Sequence, residues 1–357
     1  MRHIINIIRI VTALTFIFSG FVKMIDPVGT KIKMLEYFGE DVLNLTFLNA
    51  FALEISIFMI LLEFGLGIWL LIGYKPRFTL RALLVVILFF LFLTGYSAFF
   101  NKITDCGCFG DAVKLTPWET FYKNIVLLVL ILFLWWKQSY IRPLFSKKTT
   151  TAWAYLSVLA GLFLMIYTVR HLPLIDFRPY AIGKNINEGM QIPEGAPQAK
   201  FKDIWYYKVD GKVKEFSNED EPWNIPGAEF VDRKTITLSE GYTPPIHDFS
   251  IENDKDGDIT EQVLSEPEIY LIISARPSGI NRKTEWIVNQ YAKKLQENGK
   301  KVIGLFSVLD DEIQQNFVFP IYMTDETTLK TMIRSNPGVI KLEYGTVTDK
   351  KAWRDLD

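Results

Sequence analysis

The sequence predicts a membrane α-helical bundle followed by an α/β water-soluble domain. Three observations carry this. Up to about Tyr167 the chain is a series of long apolar blocks rich in Phe, Leu and Ile; from Asp176 onward it is polar and punctuated by Gly and Pro; and five of the apolar blocks reach the roughly 20 residues that cross a bilayer. The net charge of the 357 residues is -1. That argues against nucleic acid as a partner, since phosphate binding needs a concentrated basic surface.

The five predicted spans are Ile4–Met24, Phe51–Ile72, Leu80–Phe100, Trp118–Trp136 and Trp153–Val169. The first lies at the N-terminus, but Lys23 and Asp26-Pro27 follow it instead of a small-residue cleavage site, so it reads as a retained helix. The basic connections are those with Lys75, Arg77 and Arg81, and with Lys137, Arg142, Lys147 and Lys148. They fall on one side together with Arg2, and the positive-inside bias makes that side cytoplasmic. Segments 25–49 and 101–116 then face outward, and the fifth helix delivers the C-terminal half to the same outer side. Thr116, Pro117 and Glu119 form a capping box that starts the fourth helix and places the preceding loop at the outer surface.

That loop holds both cysteines of the chain, Cys106 and Cys108, in the run Asp105-Cys106-Gly107-Cys108-Phe109-Gly110-Asp111. A Cys-Gly-Cys disulfide closes a tight ring, and strained, exposed disulfides are labile and oxidising. The redox reading stands beside a structural staple, two free thiols, and half a metal site completed by a second copy. The three histidines, His3, His171 and His247, are far apart in sequence and suggest no metal cluster.

Two carboxylates lie in the second helix. Nine residues turn a helix through roughly 900°, so Glu54 and Glu63 should point to opposite faces. Glu54 is expected at the outer end, level with the cysteines and paired with Lys23. Glu63 is expected mid-membrane, either as a proton or quinone site or as an interhelical hydrogen bond.

The run from Asp105 to Asp111, with Trp118 and Lys123-Asn124 after it, resembles the MauE family of methylamine-utilisation membrane proteins and the related DoxX-like proteins. Ser19-Gly20-Phe21-Val22-Lys23, Asp26-Pro27, Glu63, Gly65 and Gly73 extend the resemblance over about residues 1–140. MauE is linked to maturation of the disulfide-rich small subunit of methylamine dehydrogenase, and DoxX relatives to quinone-coupled sulfur oxidation. The resemblance implies thiol–disulfide work at the membrane, with electrons passed to a quinone cofactor or to a second redox protein and an extracytoplasmic protein as partner.

Beyond the membrane, Tyr206–Phe216 predicts a hairpin about Asp210-Gly211, and Phe230–Leu238 a further strand. A strand at Ile269–Ile273 is followed by a helix over 283–298, a strand over 301–307, a short strand over 320–323, a short helix over 327–334 and a terminal hairpin from Val339. This order resembles a thioredoxin-like domain of the TlpA type over 241–353. Pro337 takes the place of that family's cis-proline and, with Arg276, would border a peptide groove. The family's Cys-x-x-Cys is missing: the segment after the first strand reads Ser274-Ala275-Arg276-Pro277-Ser278. The run Asp254-Lys255-Asp256-Gly257-Asp258 fails the spacing of an EF-hand and reads as a hairpin turn. Trp205, Trp223, Trp286 and Trp353 read as core or interface residues.

The expected organisation is a four-helix membrane domain (1–140), a basic cytoplasmic loop with the fifth helix (141–175), a small β-rich extension (176–240) and a thioredoxin-like extracytoplasmic domain (241–357). The resemblances imply a multi-pass protein of the bacterial inner membrane, its N-terminus in the cytoplasm and its C-terminal domain in the periplasm. Two functions fit: a membrane thiol–disulfide oxidoreductase or its accessory, and an envelope scaffold whose cysteines only staple a loop.

Overall fold

The computed structural model describes residues 2–103, 107–239, 241–253 and 255–356, with only the backbone of Glu312. Cys106, Asp105 and Asp254, each part of an expectation above, lie outside the described residues.

Helix α1 (Arg2–Ile25) leads into a short helix α2 (Pro27–Phe38) whose start is capped by Asp26 accepting from the Gly29 amide. A 3₁₀ turn (Thr46–Phe51) runs into α3 (Ala52–Ile72), followed by α4 (Pro76–Phe100), α5 (Pro117–Trp136) and α6 (Lys147–Arg170). Among the described residues, α1, α3 with its leading turn, α4, α5 and α6 are the five helices long and apolar enough to cross a membrane. The sequence does not announce α2, because twelve residues of mixed polarity between two apolar blocks read as a loop. α6 begins at Lys147, not Trp153. Ser146 accepts from the Thr149 amide, so the polar Lys-Lys-Thr-Thr-Thr stretch belongs to the start of the helix.

The close approach of α1 and α3 fixes the bundle. A Cβ at Gly20 would meet the Phe64 amide nitrogen at 2.7 Å, and one at Gly67 would meet the Ile17 nitrogen at 2.9 Å. Small residues at such crossings let helix backbones pack where lipid offers no hydrophobic drive. α6 touches the bundle along a narrower seam of Ala154, Ser157, Gly161, Met165 and Thr168. Phe163, Leu159 and Tyr155 face outward.

The C-terminal half holds α7 (Ile186–Met190), β1 (Lys200–Val209), β2 (Lys212–Phe216), β3 (Glu229–Ser239), β4 (Glu252–Asn253), β5 (Gly257–Asp258) and α8 (Thr260–Leu264). They are followed by β6 (Ile269–Ser274), α9 (Arg282–Glu297), β7 (Lys301–Phe306), α10 (Asp311–Gln315), β8 (Ile321–Met323), α11 (Glu326–Met332), β9 (Gly338–Glu343) and β10 (Thr346–Ala352). β2-β1-β3 form an antiparallel sheet of their own. The larger sheet is mixed, in the order β10-β9-β6-β7-β8-β4-β5; β6 and β7 are parallel, while β9 runs antiparallel to β6. Its central strands are apolar on both faces, because helices cover each side. In β6, Tyr270 and Ile272 pack with Val288 and Ala292 of α9. Leu271 and Ile273 point the other way and pack with Leu329 and Met332 of α11.

The turn between β4 and β5 brings Asp256 to the Asn253 side chain and the Tyr322 hydroxyl, a hairpin arrangement. Of the tryptophans read as core or interface residues, Trp223 and Trp286 lie outside the core, 51% and 63% exposed. Trp286 lies on the outer face of amphipathic α9, where Thr284, Val288 and Ala292 take the buried positions.

Candidate functional site

The cysteine loop dips into the bundle. Ser19, in the last two turns of α1, donates its hydroxyl to the Cys108 carbonyl at 2.6 Å. The neighbouring Phe109 ring packs on Phe18 and lies under the Lys123 ammonium. Cys108 is partly buried and has no disulfide partner among the described residues. It borders two small cavities inside the helices, of about 40 and 10 Å³, and Glu63 lines both.

Glu63 accepts from Lys23 Nζ at 2.7 Å, and both side chains are nearly fully buried. Lys23 Nζ also donates to Ser19 Oγ at 3.2 Å and lies 5.0 Å from the Phe90 ring centre. A continuous polar path therefore runs from Glu63 through Lys23 and Ser19 to the backbone of Cys108. Taking two charges out of water is costly, and the cost is offset only when each has a close partner and further hydrogen bonds, as here.

This corrects two expectations. Lys23 pairs with Glu63 rather than with Glu54, and the residue level with the cysteine loop is Glu63. The reason is the stagger of the helices. Gly20 of α1 lies against Phe64, so the first turns of α3 project past the end of α1. Glu54 is exposed. Its charge acts on Lys31 of α2, where burial and then the cation of Arg276 lower the lysine pKa and Glu54 opposes them.

Above the loop lies the mixed-sheet C-terminal half, joined to it by Arg334, a residue that nothing in its sequence neighbourhood marks. Arg334 Nε meets Asp26 at 2.7 Å and its Nη2 meets Asp111 of the cysteine loop at 3.1 Å. Burial works against its charge, but Asp26 and then Asp111 outweigh it and raise the guanidinium pKa. The seat exists because residue 29 is glycine: a Cβ there would meet Asp26 Oδ2 at 2.6 Å and Arg334 Nη2 at 3.0 Å. A second tie joins His171, at the end of α6, to Asp355.

Arg334 stands just before the loop containing Pro337, whose bond to Asn336 is cis. Asn336 accepts from the Ser274 hydroxyl and the Arg276 amide and donates to the Arg276 carbonyl, so the Arg276 and Pro337 loops are tied side by side. The Arg276 side chain lies near Glu326 at 3.7 Å. Elsewhere in this half, Asp176 binds both Arg178 and Lys350. Burial, then the cation of Arg178, pushes the Lys350 pKa down to about 8.

At the opposite end of the bundle Arg9 is buried. Its Nε donates to Leu70 O at 2.8 Å, Nη2 to Leu71 O at 2.5 Å and Nη1 to Arg142 O at 3.1 Å. It adds to the Gly73 amide on Leu70 O and supplies a donor to Leu71 O at the end of α3, where the helix dipole favours a cation.

Residues 1–137 match the family described as methylamine utilisation protein MauE. The membrane half is therefore MauE-like, and the match ends one residue past α5. α6 and the mixed-sheet C-terminal half lie beyond it. No curated protein and no solved structure matches the chain. With five membrane-length helices the chain is a multi-pass membrane protein.

Proposed function

We propose that this protein performs thiol–disulfide exchange at the outer face of a bacterial cytoplasmic membrane, with Cys106 and Cys108 as the reacting pair and exported proteins as substrates. The observation that carries the reading is the placement of Cys108. Its side chain borders cavities that lead to the buried Lys23–Glu63 pair, and the C-terminal half is clamped onto the same loop through Arg334 and Asp111. A loop that served only as a staple has no need of a buried ion pair beneath it or a domain above it.

The mixed-sheet half supports the reading as a presenting domain. Its order of strand, helix, strand, helix and hairpin resembles that of a thioredoxin-like core. So do the parallel β6 and β7, the antiparallel β9 and the cis Asn336–Pro337 bond. It has no cysteine of its own, so electrons would pass through the loop below. The N-terminus and the Arg9 end of the bundle would face the cytoplasm. Glu63 is the residue through which protons, or a quinone accepting the electrons, would couple to the pair.

The reduction potential of the Cys106–Cys108 pair, read by mass-tagging of purified full-length protein across a glutathione series, tests this. A value of about −200 mV is expected, whereas structural disulfides of exported proteins lie below about −300 mV. A pair that stays oxidised throughout would make the chain a scaffold.

A further inference from the structure

Between the two halves lies a cleft of about 810 Å³. Its floor is α2 and the cysteine loop, at Gly107, Gly110 and Asp111; its roof is the segment after α6 and the start of α11, at Phe177, Lys184 and Thr327. It does not include Arg276 or Pro337, so it is distinct from the groove expected beside the cis-proline. We propose that this cleft binds an extended polypeptide segment carrying a pair of cysteines and delivers it to the Cys106–Cys108 loop. The inference rests on the thiol–disulfide reading and names where its substrate sits.

Three features select this class of ligand. The volume lies toward the upper end of the range for single-ligand pockets, and the place, between two domains, is where such sites form. Most of the charge in the cleft is already neutralised within the chain: Asp26 and Asp111 by Arg334, Asp176 by Arg178 and Lys350, Lys33 by Glu36. Among the described residues, an anionic or metal-bearing ligand therefore finds no concentrated opposite charge. In the roof of the cleft, a Cβ added at Gly183 would meet nothing within 4 Å. Open main chain at that point lets an extended chain lie close to it, whatever side chains that ligand carries.

In the oxidising direction a substrate thiolate attacks one sulfur of the Cys106–Cys108 disulfide. The S–S bond breaks, and the departing sulfur takes up the proton that the attacking thiol shed. The second substrate thiol then attacks the mixed disulfide. The substrate leaves with a disulfide, two electrons poorer, and the loop with two thiols.

The test uses oxidised full-length protein with two reductants, a short unstructured peptide bearing two cysteines and dithiothreitol. Exchange with the peptide should saturate with concentration, while exchange with dithiothreitol stays linear. Thr327→Trp and Lys184→Trp, at exposed positions lining the cleft, should raise the peptide's KM on the order of tenfold, about 1.4 kcal/mol, and leave the dithiothreitol rate unchanged. Unsaturable peptide exchange, or a KM that neither variant moves, overturns the cleft as the binding site while exchange itself survives. A pair that dithiothreitol does not reduce overturns both readings.

Discussion

The two ends of the helical bundle hold a buried cation in opposite ways. Arg9 is held by backbone carbonyls of α3 and of the loop after α5, with no carboxylate within salt-bridge distance among the described residues. Lys23 is held by a carboxylate, Glu63, beside small cavities that reach Cys108. The first arrangement closes a helix end. The second keeps an ionisable pair inside the bundle next to a thiol. Buried charge at the Arg9 end is therefore structural, and at the Lys23 end it lies where the proposed exchange would use it.

The comparison can be broken first at Glu63. Glu63→Ala strands the Lys23 ammonium and should destabilise the detergent-solubilised protein by about 3–5 kcal/mol. Lys23→Met with Glu63→Met should recover most of that loss, because a pair of well-packed apolar side chains often matches a buried ion pair. Thermal unfolding of the unaltered chain and both variants checks it; a double variant no better than Glu63→Ala would contradict the pairing. Arg9→Met comes next, at about 3 kcal/mol, since charged hydrogen bonds to the Leu70, Leu71 and Arg142 carbonyls are lost. This variant should leave exchange at the cysteines unchanged, whereas Glu63→Ala should not.

Arg334 extends the contrast to the interface between the halves. Arg334→Met leaves Asp26 and Asp111 facing each other without a cation, and should weaken docking by about 2 kcal/mol. Faster hydrogen exchange in α2 and around Asp111, with the β6 and β7 amides unchanged, would show it. Arg334→Lys should restore part of the protection.

The smallest effect belongs to Lys350. Its folded pKa of about 8 lies below the ordinary 10.5. Between those values the unfolded chain holds a proton that the folded chain has released, so this group makes stability rise with pH from about 8 to 10.5 and contributes no slope below 8. Lys350→Met should flatten that rise in thermal midpoint against pH.

Most of the bundle is legible in the sequence because apolar blocks of membrane length have few other uses. The fourth span's start at Thr116 is legible for a local reason: caps are written in adjacent residues. What escapes is tertiary. Lys23 and Glu63 are far apart in the chain, and their meeting depends on the stagger set by Gly20 against Phe64. Arg334 is farther still from Asp26 and Asp111. Arg9 does carry a signal, a charge inside an apolar run, since such residues are seldom without a partner.

The narrow seam of α6 has a consequence for how this chain is assembled. The helices through Trp136 pack into a bundle of their own, and the stretch 138–146 that follows is short and mostly exposed. The last span then leans on its neighbours through a row of small side chains and is otherwise turned to lipid. Such a span behaves as a detachable strap, holding a second unit to a bundle that is already closed. Two separately made pieces, divided within that stretch, should find each other in the bilayer and be pinned again by Arg334.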